Sequence, residues 1–218
     1  MIRLHHCPQA RSFRTLWLLE EMALDFEVIE HSFFGKSLRS PDYLALSPAG
    51  RVPALEIDGR VLYESGAITE YLCETRPSDL GREPDHAERA DWLEWLHFAE
   101  TIGQHCANLT QQHIVLREDW MRSATVMRLE ARRLEKVLEV VERVVAQRDW
   151  LLPGGFSAVD TNVGYGVHIA RFFLPRGLLP AVEAYYARLT ARPGFQRAQA
   201  RDGVPQLYRR DFYPVPDA

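Results

Sequence analysis

Before residue 80, short apolar runs alternate with helical ones; beyond it the pattern is helical throughout. "MIRLHH" reads as a short strand. "SFRTLWLLEEMA" follows as a helix with Phe13, Leu16 and Trp17 on one face. "FEVIEHSF" is a second strand. "VPALEID" and "RVLYES" are two more, joined by Asp58-Gly59. That dipeptide accepts the positive φ which a tight hairpin turn demands at both central residues. "SGAITEYLCETR" closes the segment as a helix. The order β-α-β, hairpin, α predicts an α/β unit with a mixed sheet.

"RPSDLGREPD" is polar, holds two prolines and reads as a linker. Past it, Trp92, Trp95, Leu96, Ala99, Ile102 and Cys106 recur at three- and four-residue steps, which makes one apolar stripe. Leu134, Val137, Leu138, Val141 and Val145 make another on a long helix. Ser157-x-x-Asp160 is a capping box, in which each side chain satisfies an orphan amide at a helix start. Two shorter helices break at Pro193-Gly194. Two domains are expected: an α/β one over 1–77, and an all-helical one over 85–218.

Composition narrows the classes of function. The 218 residues are 46% hydrophobic and 26% charged, with a net charge of -4. That balance offers no basic surface for nucleic acid. No apolar run approaches the ~20 residues of a membrane span, and the amino-terminal stretch lacks the apolar core of a secretory signal. Cys7, Cys73 and Cys106 are odd in number and scattered. The expectation is no disulfide framework, no cysteine-built zinc site and a reducing cytoplasm. The histidines lack metal-ligand spacing, so no metal is expected.

Candidate chemistry sits in two places. The first is "SPAGRVPALEIDGRVLYESGAITEYL", where a Val-Pro precedes a hairpin and Glu64-Ser65 opens a helix. The second is "HHCPQARSFRTLW", where Cys7-Pro8 lies at the mouth of a helix and invites a redox reading. With the capping box, these stretches resemble the cytosolic glutathione S-transferase family of bacterial and fungal type, over essentially the whole chain. The resemblance implies a thioredoxin-like amino-terminal domain followed by an all-α domain. It also implies glutathione as co-substrate, a small hydrophobic electrophile as acceptor, a role in detoxification and a two-fold homodimer. Glu100 would reach across that dimer towards the ammonium of glutathione. The acceptor would lie against the helix of Trp95, Phe98 and Ile102. Family members pair the capping box with an apolar staple, for which this chain offers only Phe156 against Thr161.

The binding residues follow from the chemistry of glutathione, which has two carboxylates, an ammonium and a thiol. Ser65 at a helix amino terminus offers a hydroxyl and free amides to one carboxylate, aided by the helix dipole. Glu64 can meet the ammonium. Val52, held extended by Pro53, presents its peptide edge to the cysteinyl backbone like an added strand. The resemblance implies a cis Pro53. Arg51 would clamp the glycyl carboxylate.

The thiol must be held as thiolate to react, and a hydrogen-bond donor at the first helix does this in the family. Ala10 stands where relatives often carry Ser, so Ser12 is the expected catalytic donor; helix capping is its structural alternative. Arg11 and backbone amides are further candidates. Cys7 is similar to the Cys-Pro of omega and glutaredoxin-like members, but the register fixed by "FEVI" puts their Cys at about Gln9. His97 and His105 have packing roles as their simpler reading. Three functions stay open: conjugation or peroxide reduction by glutathione, Cys7-dependent thiol transfer, and non-catalytic binding of glutathione or a hydrophobe.

Overall fold

The computed structural model describes residues 1–216. Two compact units make up the chain. One joins Met1–Glu83 with Thr190–Leu207; the other joins Pro84–Leu189 with the tail from Tyr208.

The first unit holds β1 (Arg3–His6), α1 (Ser12–Glu21), β2 (Glu27–Glu30), α2 (Pro41–Leu46), β3 (Ala54–Ile57), β4 (Arg60–Tyr63) and α3 (Ser65–Thr75). The sheet order is β2-β1-β3-β4. β1 and β2 run parallel, while β3 is antiparallel to both β1 and β4. The mixed sheet is the one the pattern predicts. Asp58 and Gly59 take φ of 52° and 75°, so the hairpin turn forms with both central residues at positive φ. The short α2 had no apolar period to announce it. Its start is nevertheless local: the Ser40 hydroxyl accepts the Tyr43 amide, and Pro41 occupies the first turn.

Helix α1 departs from its one-faced reading, because Ser12 through Glu20 are all buried. The reason is distant in sequence. A carboxy-proximal helix, residues Pro193–Arg201 (α8 in chain order), returns to this unit and covers the outer face of α1. Phe195 lies edge-on to Phe13 and Trp17, with ring centroids 5.6 and 5.0 Å apart. Glu20 takes Arg197 at 2.9 Å and Arg201 at 2.7 Å, and Glu21 takes Arg192 at 2.8 Å. Thus Thr190–Leu207, expected within the helical domain, packs with the first unit.

The second unit comprises α4 (Arg89–Thr110), α5 (Ala124–Val145), α6 (Ala158–Ala170) and α7 (Pro180–Thr190). Trp92, Leu96, Ala99, Ile102 and Cys106 are buried along α4, as one stripe. Ile102 is packed into this core against Gly166 of α6, where a Cβ would come within 2.7 Å of its methyl. It therefore offers no surface to a ligand, while Trp95 and Phe98 stay half-buried. The capping box forms: Asp160 accepts the Ser157 amide at 2.8 Å, and also Leu151 N–H and the Tyr185 hydroxyl. Burial pushes the Asp160 carboxyl up to about 6. Phe156 lies edge-on to Trp150. His97 is exposed, and His105 bonds Glu130 at 2.7 Å. Among the described residues, no helix is long and apolar enough to cross a membrane.

Candidate functional site

Sheet register assembles the site. His5 of β1 lies opposite Ala54 of β3, and Ala54 lies opposite Tyr63 of β4. The carboxyl end of β1, the amino end of β3 and the carboxyl end of β4 therefore meet at one edge, opposite the Asp58-Gly59 turn. Three segments leave from that edge: the loop 7–11, the approach 51–53 and the start of α3 at 64–65. Residues some fifty positions apart become neighbours because antiparallel pairing folds them back.

Val52-Pro53 is a cis peptide. Its approach is held from behind, since the Arg51 carbonyl accepts the Tyr43 hydroxyl at 2.6 Å and the Ser47 hydroxyl at 2.9 Å. Burial pushes the Tyr43 hydroxyl up to about 12, so it remains a donor across the working range. Val52 lies beyond the end of β3, and the Arg51 side chain is exposed. A relay of side chains joins β3, β1 and the segment after β2. His5 Nε2 meets Glu56 at 3.1 Å, His5 Nδ1 meets His31 Nε2 at 3.0 Å, and His31 Nδ1 meets Ser37 Oγ at 3.0 Å. Because the Glu56 carboxylate can only accept, neutral rings orient every proton of the relay one way.

At the other side of the edge, Glu64 precedes α3 with φ 79° and ψ 111°, a left-handed conformation unusual for a residue with a Cβ. Strain of this kind collects at ligand sites. Its carbonyl accepts the Ile68 amide while its side chain stays exposed and does no capping. Ser65 is buried at the first helical position, and Arg14 Nη1 donates to its hydroxyl at 3.2 Å. A guanidinium with no exposed surface thus lies beneath a helix amino terminus, where charge and dipole add for an anion. No motif in the sequence announces Arg14. The available signal was a lone cation in "FRTLWLL", a run apolar on nearly every face.

The loop 7–11 places its expected residues differently. Ser12 is the first residue of α1, not its cap, and has no exposed surface. Its Oγ accepts the Cys7 amide at 3.1 Å and lies 2.8 Å from His6 Nδ1. Its hydroxyl braces the loop from within. Cys7 is fully buried too. Burial, and then the charge of Glu30, push its thiol up to about 12, which leaves it protonated at neutral pH. Arg11 is partly exposed.

The mixed sheet, the cis-proline approach and the helix start at Glu64-Ser65 define a thioredoxin-like unit, followed by a helical unit. Comparison with known proteins agrees. Residues 6–75 match the family model for the glutathione S-transferase amino-terminal domain. The chain is 30% identical to glutathione S-transferase 3 of Zea mays over 202 residues, covering 88% of this chain and 90% of that protein. It is 32% identical to a glutathione S-transferase-like protein of Aspergillus aculeatus over 213 residues, covering 92% and 95%. A similar solved structure is the theta class glutathione S-transferase of Xanthomonas axonopodis pv. citri with glutathione bound, at TM-score 0.80 and 27% identity, covering 90% and 96%. The chain belongs to the glutathione S-transferase family.

Proposed function

We propose that the protein is a glutathione transferase whose peptide site is this sheet edge. The observation that carries the reading is the pairing of Arg14 with Ser65 beneath the start of α3. It supports a carboxylate of glutathione seated on the first-turn amides of α3 and the Ser65 hydroxyl. Glu64 receives the ammonium, Val52 pairs with the cysteinyl backbone ahead of Pro53, and Arg51 faces the glycyl carboxylate. The sulfur then lies over the loop 7–11. Thiolate forms there as the thiol proton passes to water. It attacks a small hydrophobic electrophile, an S–C bond forms, and the leaving group departs with its electron pair. Peroxide reduction is a second use of the same thiolate. In this reading Ser12 acts through the loop it braces. A cytoplasmic setting, a detoxifying role and a two-fold homodimer complete the proposal, the last measurable by analytical ultracentrifugation.

The test is direct. Calorimetry with S-hexylglutathione is run on wild type, Glu64→Ala, Ser65→Ala and Ser12→Ala, alongside turnover of chloro-dinitrobenzene, a peroxide and a mixed disulfide. Glu64→Ala and Ser65→Ala should each weaken binding by about tenfold, the size of a charged hydrogen bond. Ser12→Ala should bind S-hexylglutathione as wild type does. It should lose about 1–3 kcal/mol of stability, because the buried Cys7 amide is left without an acceptor. Unchanged binding in both Glu64→Ala and Ser65→Ala would remove the site from this edge.

A further inference from the structure

The approach 51–53 belongs to no helix or strand, yet the backbone of Arg51 is pinned at both of its polar atoms. Its carbonyl accepts the hydroxyls of Tyr43 at 2.6 Å and Ser47 at 2.9 Å, and its amide donates to Ser47 Oγ at 3.4 Å. A carbonyl oxygen has two lone pairs, and here each has a donor. Tyr43 and Ser47 are both buried, so these bonds are shielded from competing water.

The sequence builds this hold locally. Tyr43 lies on α2, and Ser47 ends that helix with its own amide donating to the Tyr43 carbonyl. The chain then turns through Pro48-Ala49-Gly50. Gly50 takes φ 61°, and its amide donates to the Ser47 carbonyl at 2.8 Å. A Cβ at Gly50 would come within 2.8 Å of the Leu38 carbonyl oxygen, so glycine is what lets Arg51 return to the two hydroxyls. The Tyr43 ring is seated in turn against those of His5 and His31, with centroids 5.4 and 4.7 Å away.

Peptide geometry converts this hold into a direction. The Arg51-Val52 peptide is trans, so its C=O and its N–H lie in one plane and point opposite ways. Two hydroxyls on the carbonyl therefore aim the Val52 N–H away from α2. They also polarise the peptide, which makes that N–H a better donor. Among the described residues nothing accepts it, and Val52 is only partly buried. A backbone donor in that position is left for water or for a ligand.

We propose that Tyr43 and Ser47 are positioning residues for glutathione: they hold the Arg51 carbonyl so that the Val52 N–H is aimed, before any ligand arrives, at the cysteinyl carbonyl. The proposal rests on the glutathione-site reading above and adds what fixes its strand-like contact. Neither side chain touches the ligand. The ordering of the approach is complete in the free protein, so it is not charged against binding. The Val52 bond is made in ground state and transition state alike, and its weakening therefore appears in KM and not in kcat.

Tyr43→Phe keeps the ring against the two histidines and removes one hydroxyl; Ser47→Ala removes the other. The full-length proteins are compared by turnover of chloro-dinitrobenzene and by calorimetry with two ligands. One is S-hexylglutathione, and the other is its analogue with a methylene in place of the cysteinyl carbonyl. Each variant should weaken S-hexylglutathione by about three- to tenfold and raise KM for glutathione by the same factor, with kcat within about twofold of wild type. The analogue should bind wild type more weakly than S-hexylglutathione does. It should lose no more than about twofold further in either variant, because the contact is already absent. A variant that merely loosened the fold would weaken both ligands by one factor, and that result overturns the proposal. So does wild-type affinity for S-hexylglutathione in the double variant. Should Tyr43→Phe fail to fold, Ser47→Ala carries the same comparison. Equal affinity of wild type for the two ligands also overturns the proposal, while leaving the site reading in place. If wild type fails to bind S-hexylglutathione, the site reading itself falls, and the proposal with it.

Discussion

Cys7 illustrates how one side chain's chemistry is set by its surroundings. Cys-Pro at a helix mouth suggests a nucleophile, yet this thiol is buried and held up at about 12 by burial and Glu30. A thiol pKa raised that far leaves almost no thiolate at any pH well below 12, and thiolate is the reactive species. Iodoacetamide at pH 8, followed by peptide mass spectrometry, should leave Cys7 unlabelled in the native protein and label it fully after denaturation. Cys7→Ser should retain the conjugating rate. Rapid native labelling would revive the thiol-transfer reading. Ser12 teaches the same lesson in the opposite direction. Its hydroxyl was legible in the sequence as a donor, but its direction was not. That direction follows from the turn which brings the Cys7 amide within 3.1 Å.

At the scale of elements, local signals were reliable where the physics is local. The Asp58-Gly59 turn, the Ser157-Asp160 box and the Val52-Pro53 approach each depend on residues within a few positions of one another. The relay from Glu56 through His5 and His31 to Ser37 could not be read this way, since it joins β3, β1 and the segments after β2. Its consequence is a pH dependence with a definite sign. Burial first, then His5 and His6, lowers the His31 pKa from 6.5. The unfolded chain then binds that proton at a higher pH than the folded one. Stability from this group is complete above about 6.5 and declines as pH falls through the lowered folded value. Thermal melts of wild type between pH 8 and 5 should lose Tm on the acid side, and His31→Gln should show a shallower decline. Equal slopes would show that the relay does not sense protons. The segment concerned also carries Tyr43, which supports Arg51, so acid should weaken S-hexylglutathione binding in wild type more than in the variant.

For the whole molecule, the decisive feature is that the first unit is discontinuous. α8 arrives from beyond residue 190 to cover Phe13 and Trp17 and to engage Glu20 and Glu21. A fragment of residues 1–83 should therefore lack a cooperative thermal transition, with exposed Trp17 fluorescence. In the full chain, Phe195→Ala should cost about 3–5 kcal/mol, as for a buried aromatic truncated in a core. A fragment 1–83 with a sharp melt and native near-ultraviolet dichroism would show that α8 is dispensable. The sequence by itself determined the element order, the mixed sheet, the hairpin and the Arg51-Val52-Pro53 and Glu64-Ser65 motifs. All of these rest on backbone preferences and periodicities contained within short windows. Tertiary structure alone decided that α1 is buried on all sides, that Arg14 supports Ser65 and that Ser12 faces inward. Each of those outcomes is fixed by how elements pack, where no local preference acts and only the packing of sheet, α3 and α8 selects the arrangement.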